Sequence, residues 1–147
     1  MSQPMAISIW QPYASLLAFG EKRYETRSWA APSKVIGMDV VIHAAKSEES
    51  LYMCSAPHFT QALWRHGIDE TIQLPLGAAL CVATLVAVYK TDDLRNLSIS
   101  EKSFGDFTPG RYAWWFDNIR LFARPFPCRG QQGLWQWSGF LPALKDK

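Results

Sequence analysis

The residues best suited to chemistry in this 147-residue chain lie in one polar segment, residues 20–29 (GEKRYETRSW). Lys22, Glu25 and Arg27 fall in a stretch with strand propensity, where charged side chains build little core but can line a polar site. Glu25 and Arg27 share one face of a regular strand, whereas Lys22 is too close to the preceding helix for strand alternation to fix its direction. Both cations would be free to meet a phosphate or a base carbonyl. The segment therefore predicts the wall of a pocket for a nucleotide-like ligand, or alternatively a solvent-exposed row of ion pairs.

A histidine, His43, lies in the apolar segment 38–44 (MDVVIHA), and Lys46 follows shortly after it. In such a strand a histidine is more often a hydrogen-bonded core or edge residue than a base. If His43 shares the cleft with Glu25, its near-neutral pKa suits proton transfer or hydrogen bonding to a nucleobase. We therefore treat His43 as a candidate catalytic residue and Lys46 as a candidate ligand contact.

Aromatic residues make up 14% of the chain, with seven tryptophans. Several of them lie near arginines in the sequence, as Trp114 does near Arg111. Aromatic faces beside arginines suit base stacking combined with phosphate contact. Most of these rings must pack in the core, so we predict that one or two, with Trp10 and Trp114 as candidates, line a pocket.

Composition excludes several classes of protein. A net charge of +2 argues against coating nucleic acid through bulk electrostatics. Three widely spaced cysteines predict free thiols and no zinc site, and the sequence has no HExxH, GxxxxGK[ST] or GxGxxG motif. We therefore predict no metal and no cofactor. Apolar runs are too short for a membrane span, so we expect a soluble, cytoplasmic protein with no membrane partner.

The elements that must position these residues are short strands with helices inserted early. Besides the polar segment, strands are predicted over residues 6–10, 38–44, 77–90, 110–116, 119–123 and 134–137. Helices are predicted from Pro12 to Gly20, where glycine suits a left-handed cap, and from 48 to 66 with an interruption near Pro57. Residues 92–97 are predicted as a weak helix or a loop. Asp117-Asn118 is predicted as a turn. The pattern indicates an α+β fold, a small β-barrel with flanking helices, in a single domain over residues 1–147 with its core at about 5–137.

Several blocks of the sequence resemble the ASCH domain family of the PUA-like superfamily. They are residues 7–14 (ISIWQPYA), 20–27 (GEKRYETR), 110–114 (GRYAW) and 127–135 (PCRGQQGLW). The second block matches the GxKxxExR signature of that family, and the resemblance extends from Met5 to Trp137. It implies a PUA-like β-barrel with a cleft beside the signature strand, and RNA as the expected partner.

Some bacterial members of this family are amidohydrolases that deacetylate N4-acetylcytidine with a lysine, a threonine and a glutamate, and another member is described as a ribonuclease. The resemblance places that lysine at Lys22. The position of the nucleophilic threonine holds Glu25, and Thr26 is displaced by one residue. Glu101 is a candidate for the glutamate. A carboxylate cannot replace a hydroxyl nucleophile, so this departure weakens the implied hydrolase mechanism.

Three functions remain open. The first is an RNA- or modified-nucleotide-binding protein. The second is an amidohydrolase acting on N4-acetylcytidine or a related nucleoside, with Lys22 as base, and the third is a metal-independent ribonuclease with His43 or Lys22 as base and Arg27 as phosphate clamp. The sequence specifies neither the ligand nor the oligomeric state. Candidate catalytic residues are Lys22, Glu25, Thr26 and His43, and candidate ligand-binding residues are Trp10, Arg27, Lys46, Arg111 and Trp114.

Overall fold

The computed structural model describes residues 3–146, which form one sheet of six strands flanked by short helices. The strands are β1 (Met5–Ile9), β2 (Tyr24–Arg27), β3 (Asp39–Ala44), β4 (Ala78–Lys90), β5 (Tyr112–Pro127) and β6 (Leu134–Gln136). The α-helices are α1 (Tyr13–Ala18), α2 (Pro57–Trp64) and α3 (Ile99–Ser103). Short 3-10 turns cover Ser33–Val35, Leu51–Ser55, Thr71–Gln73 and Thr91–Asp93.

The strand order is β2-β5-β4-β3-β1-β6. Strands β1 and β3 are parallel, and the other neighbours are antiparallel. Although β1 and β2 are separated by three strands in this order, the guanidinium of Arg27 donates a hydrogen bond to the carbonyl of Ser8. The sheet must therefore curl, and it forms a half-barrel with flanking helices. The predicted α+β fold class is confirmed.

Two long strands, β4 with 13 residues and β5 with 16, carry the curl. The predicted turn at Asp117-Asn118 is wrong, because β5 runs through it. The pairing with β4 shifts between Arg120 opposite Val82 and Asp117 opposite Thr84, so the extra residues are absorbed in a bulge. Asn118 takes a left-handed φ of 52° there, a conformation that asparagine tolerates better than most residues.

Helix α1 packs between the sheet and the other helices. Leu17 belongs to the main core inside the half-barrel, together with Ile7. Leu16, one position earlier, belongs to a separate apolar cluster with Phe59 of α2 and Phe104, which follows α3. The sheet and the helical layer are therefore held to each other through α1.

The end of α1 determines where the polar segment begins. Gly20 has φ of 80°, and the N–H groups of Gly20 and Lys22 donate to the carbonyls of Leu17 and Leu16 at 3.0 and 3.1 Å. This is the predicted glycine cap. It turns the chain sharply from α1 into β2 and brings Lys22 beneath the helix.

The remaining helix predictions are confirmed in part. The helical region interrupted near Pro57 is a 3-10 turn followed by α2, which begins at that proline. Residues 92–97, predicted as a weak helix or a loop, are irregular after the 3-10 turn Thr91–Asp93. The helix in this region lies further along, over Ile99–Ser103, where Ser98 accepts a hydrogen bond from the N–H of Glu101 and acts as the N-cap.

Candidate functional site

Lys22 is the most deeply buried charged side chain near the cleft, with 1% of its surface exposed. Its Nζ donates to the carbonyl oxygens of Tyr24 at 2.5 Å and Phe104 at 2.6 Å. A carboxylate oxygen of Glu25 lies 3.4 Å away, and Nζ sits 5.6 Å from the centre of the Tyr13 ring. The ammonium group is thus enclosed by three oxygens and one aromatic face.

This environment bears on the protonation of Lys22. Burial lowers the pKa of Lys22, the carboxylates of Glu25 and Glu101 oppose that shift, and Arg27 adds to it. Three oxygens around Nζ match the three N–H donors of an ammonium group, whereas a neutral amine would direct its lone pair at one of them. The expectation that Lys22 stays free to meet a ligand is therefore wrong: its donors are already used within the protein.

Glu25 and Arg27 form the second half of the cluster. The Nε and Nη2 atoms of Arg27 both lie 3.0 Å from Oε2 of Glu25, and Nη2 also donates to the carbonyl of Ser8 at 2.9 Å. Nη1 of Arg27 has no hydrogen-bond partner among residues 3–146. The structure thus brings Lys22, Glu25 and Arg27 together, with Glu25 between the two cations and Nη1 available to a ligand.

Glu101 anchors the strand that carries this cluster. Its carboxylate accepts hydrogen bonds from the N–H of Arg23 at 3.0 Å and of Tyr24 at 3.3 Å. Since Glu101 belongs to α3, these bonds tie the start of β2 to that helix. Glu101 is buried and lines neither of the cavities described next.

Two cavities meet beside the cluster. The larger, about 790 Å³, is called the basic cavity because Arg27, Lys46 and Arg129 line it and, within residues 3–146, no carboxylate does. The smaller, about 550 Å³, is called the carboxylate cavity because Glu25 and Asp106 line it. Ser8, Trp10 and Arg27 line both cavities. Other residues lining the carboxylate cavity include Tyr13, Lys22, Thr26, Ser103 and Phe104.

His43 is fully engaged within the fold beside the basic cavity. Its Nε2 donates to the carbonyl of Cys128 at 2.9 Å, because a carbonyl can only accept. Trp135 Nε1 donates to the hydroxyl of Ser8 at 3.1 Å, which leaves the Ser8 proton for Nδ1 of His43, also at 3.1 Å. Both ring nitrogens are occupied in the neutral form, and burial lowers the pKa of His43. His43 thus holds Cys128 in place.

The loop over residues 129–133, which forms one wall of the basic cavity, packs directly on His43. A Cβ at Gly130 would lie 2.4 Å from Cε1 of His43 and 2.6 Å from the hydroxyl oxygen of Ser8. Only glycine allows this approach. The hydrogen bond to Cys128 and the contact at Gly130 together fix the wall that carries Arg129.

The tryptophans divide between the cleft and the core. Trp10 is 45% exposed at the junction of the two cavities. Trp29 lines the basic cavity and makes an edge-on contact with Trp114, with ring centres 4.9 Å apart. Trp114 itself is fully buried, donates from Nε1 to the carbonyl of Trp29 and lines neither cavity. Its predicted stacking role has no access to a ligand here.

The other predicted residues lie as follows. Thr26 lines the carboxylate cavity, and its hydroxyl accepts a hydrogen bond from the N–H of Asp106 at 2.9 Å. Lys46 is exposed at the basic cavity. Arg111 lines neither cavity; its Nε donates to the carbonyl of Asp106 at 3.1 Å and lies 3.5 Å from the carboxylate of the same residue.

Sequence reasoning missed several residues of the cleft. Ser8 left a signal, since it is a polar residue inside the apolar run AISI of β1. Ser103 and Asp106 left none, because they lie at the end of helix α3 and just after it, and the sequence did not predict that helix. Among residues 3–146 no group of three His, Cys, Asp or Glu side chains could hold a metal ion. Over the same residues, none of the helices has the length and apolar character needed to cross a bilayer.

Comparisons with known proteins show which protein family this chain resembles. A family model described as "ASCH domain" matches residues 7–126. The crystal structure of ASCH from Zymomonas mobilis is similar in fold, with a TM-score of 0.56 and 15% identity over 92% of this chain and 88% of that chain. A mutant of the same protein has a TM-score of 0.55 and 15% identity over 93% of this chain and 89% of that one. Comparison with curated protein sequences gives no significant match.

Proposed function

Because this chain belongs to the ASCH domain family and has the PUA-like α+β fold, we propose that it binds RNA or a modified nucleotide in the cleft formed by the basic and carboxylate cavities. The observation that carries the proposal is the meeting of the two cavities at Trp10 and Arg27. A cation and an aromatic face lie together there, beside an opening wide enough for a nucleotide.

The basic cavity suits a phosphate. Arg27, Lys46 and Arg129 line it, and no carboxylate among the described residues does; Glu25 pairs with Arg27 from the neighbouring cavity. His43 at its base is neutral and engaged, so it adds no charge. The glycines at 130 and 133 bring backbone close to any ligand held there. Three cations around one cavity are a local electrostatic site in a chain whose net charge is only +2.

Trp10 suits a base. Its ring is exposed at the junction, and base–aromatic stacking contributes about 1–3 kcal/mol per base without requiring a particular sequence. Arg27 is anchored by Glu25 and Ser8 and keeps Nη1 for a phosphate or a base carbonyl. Anchoring the guanidinium in advance reduces the entropy lost when a ligand binds.

The two enzymatic alternatives receive less support from the site. Deacetylation of a modified cytidine with Lys22 as base requires a free lone pair, yet Nζ is surrounded by three oxygens. RNA cleavage with His43 as base requires an open ring nitrogen, yet both are hydrogen bonded. The hydroxyl of Thr26 does line the carboxylate cavity, but the hydrogen bond it makes is with the N–H of Asp106.

The test is fluorescence anisotropy of a short single-stranded RNA labelled at its 3′ end, titrated with protein at several salt concentrations. Saturable binding is expected, with Trp10→Ala weakening it at least fivefold through lost stacking. Arg129→Ala should weaken binding at low salt and reduce the slope of log affinity against log salt by about 0.7, the loss of one phosphate contact to a single strand.

Matched controls separate the cleft from the general surface. Trp64 is an exposed tryptophan outside both cavities, and Lys34 is an exposed lysine outside both. Trp64→Ala and Lys34→Ala should bind like the wild type. Absence of saturable binding at low salt would refute the proposal, as would equal losses in Trp10→Ala and Trp64→Ala.

A further inference from the structure

We propose that the carboxylate cavity selects bases that carry an exocyclic amino group, with guanine preferred and uracil disfavoured. This inference rests on the nucleotide binding proposed above and names the ligand class for that same cleft. It follows from an inventory of which groups in the cavity can still donate or accept a hydrogen bond.

Lys22 supplies no donor to the cavity, even though it lines it. Its Nζ donates to the carbonyls of Tyr24 and Phe104 and lies 3.4 Å from a carboxylate oxygen of Glu25. It is also almost entirely buried. A ligand in the cavity therefore meets the oxygens around Lys22 more readily than the ammonium group itself.

The groups that remain available are mostly acceptors. Oε1 of Glu25 uses one lone pair on Lys22 and keeps another, whereas Oε2 faces both Nε and Nη2 of Arg27 at 3.0 Å. Ser103 donates its hydroxyl proton to the carbonyl of Ile99, which leaves its oxygen to accept. Asp106 adds a second carboxylate at the same cavity; its Oδ1 accepts from the N–H and the hydroxyl of Thr108, and its Oδ2 lies 3.5 Å from Nε of Arg111.

Few donors offset these acceptors. Nη1 of Arg27 is available at the junction, but a phosphate bound in the basic cavity would also use it. The Thr26 oxygen accepts from Asp106 N–H, so its hydroxyl proton is still free to donate, and the Tyr13 hydroxyl also reaches this cavity. Two carboxylates and the Ser103 oxygen thus face one guanidinium nitrogen, two hydroxyls and the indole N–H of Trp10.

Such a surface complements a base edge rich in N–H groups. Guanine presents N1–H and its N2 amino group side by side, so it can donate to two of the acceptors in the cavity at once, and its O6 can meet Nη1 of Arg27. Cytosine and adenine each present one amino group. Uracil presents two carbonyl oxygens around a single N–H and would direct at least one of them at the oxygens of Glu25 or Asp106. A carbonyl oxygen held against a carboxylate oxygen is repelled by it and loses the hydrogen bonds that it made to water.

The test is isothermal titration calorimetry with the 5′-monophosphates of guanosine, cytidine, adenosine and uridine, which share one phosphate and differ in the base. We expect the guanosine nucleotide to bind about tenfold or more tightly than the uridine nucleotide, in the range of a pair of hydrogen bonds to one base edge. Glu25→Gln replaces one acceptor oxygen by an amide donor and should reduce that ratio toward one.

Glu25→Gln also disturbs the pairing of a buried lysine, so a second variant keeps the test decisive. Asp106→Asn alters an exposed carboxylate at the cavity mouth and leaves Lys22 paired. It should reduce the guanine preference, whereas Asp93→Asn, an exposed carboxylate outside both cavities, should not. Equal affinity for all four nucleotides, or tightest binding of the uridine nucleotide, would overturn this inference and leave the proposed binding function standing. Failure of every nucleotide and RNA to bind would overturn both.

Discussion

Replacing Lys22 by methionine tests whether this lysine is a structural cation. Methionine keeps most of the volume of the side chain but removes the charge and the three donors. The carbonyls of Tyr24 and Phe104 then each lose a donor that lies 2.5 and 2.6 Å away in the wild type. Glu25 keeps only Arg27 as a cationic partner.

The magnitude follows from these contacts. Removing one partner of a buried ion pair costs about 3–5 kcal/mol, and each buried acceptor left without a partner costs about 1–3 kcal/mol. Because Arg27 still compensates Glu25, we expect a total loss of about 3–5 kcal/mol in the free energy of unfolding. That is a large part of the 5–15 kcal/mol typical of a domain. A lysine held as a neutral base in an open site would give a much smaller loss.

Urea unfolding followed by circular dichroism at pH 7 measures this loss, with an unchanged m-value as evidence that the folded state is the same. Lys34→Met, at an exposed lysine, should lie within about 0.5 kcal/mol of the wild type. In the double variant Lys22→Met with Glu25→Gln, the carboxylate no longer lacks its partner, so the loss should be smaller than the sum of the single losses by about 0.5–3 kcal/mol. The reasoning fails if Lys22→Met loses no more than Lys34→Met, or if the two changes are additive.

Two further predictions concern the wall of the basic cavity. Gly130→Ala should lower the free energy of unfolding by about 1–3 kcal/mol and weaken RNA binding, because its Cβ would lie 2.4 Å from His43; an unchanged urea midpoint together with unchanged RNA affinity would contradict this. Burial lowers the pKa of His43 below its usual value of about 6.5, so the unfolded chain binds the proton first as pH falls. The contribution of His43 to the free energy of unfolding should therefore be fully present above pH 6.5 and should decline below it by up to about 1.4 kcal/mol per pH unit. The variant His43→Gln should lack this part of the pH dependence. An identical pH dependence in the variant would refute the assignment.

Much of the fold follows from local signals in the sequence. The glycine after α1, the proline that begins α2 and the continuous apolar run of β4 each identify an element by its own chemistry. The bulge in β5 could not be found in this way. Asp117-Asn118 has the composition of a turn, and only the pairing with β4 determines that the strand continues through it. Tertiary pairing here overrides local preference.

The sequence predicts which residues lie at the candidate site better than it predicts what each of them does there. Spacing identified Lys22, Glu25 and Arg27, but the oxygens that surround Lys22 come partly from Phe104, which is 82 residues away in the sequence. The same holds for His43, because its hydrogen-bond partners Ser8 and Cys128 lie toward opposite ends of the sequence. Whether a lysine or histidine is available to a ligand depends on such distant acceptors. Spacing within one segment does not contain that information.

The three charged residues of the polar segment differ in depth, and that difference assigns their roles. The exposed fraction of the side chain rises from 1% for Lys22 to 10% for Glu25 and 21% for Arg27. The glycine cap directs Lys22 inward under α1, and the following strand carries Glu25 and Arg27 progressively toward the opening. The charges of Lys22 and Glu25 offset each other inside the fold, so Arg27 supplies the positive charge that this segment presents to a ligand, beside Lys46 and Arg129. A change at Lys22 should therefore act on binding through the orientation of Glu25 and Arg27, and a change at Arg27 should act on the ligand itself.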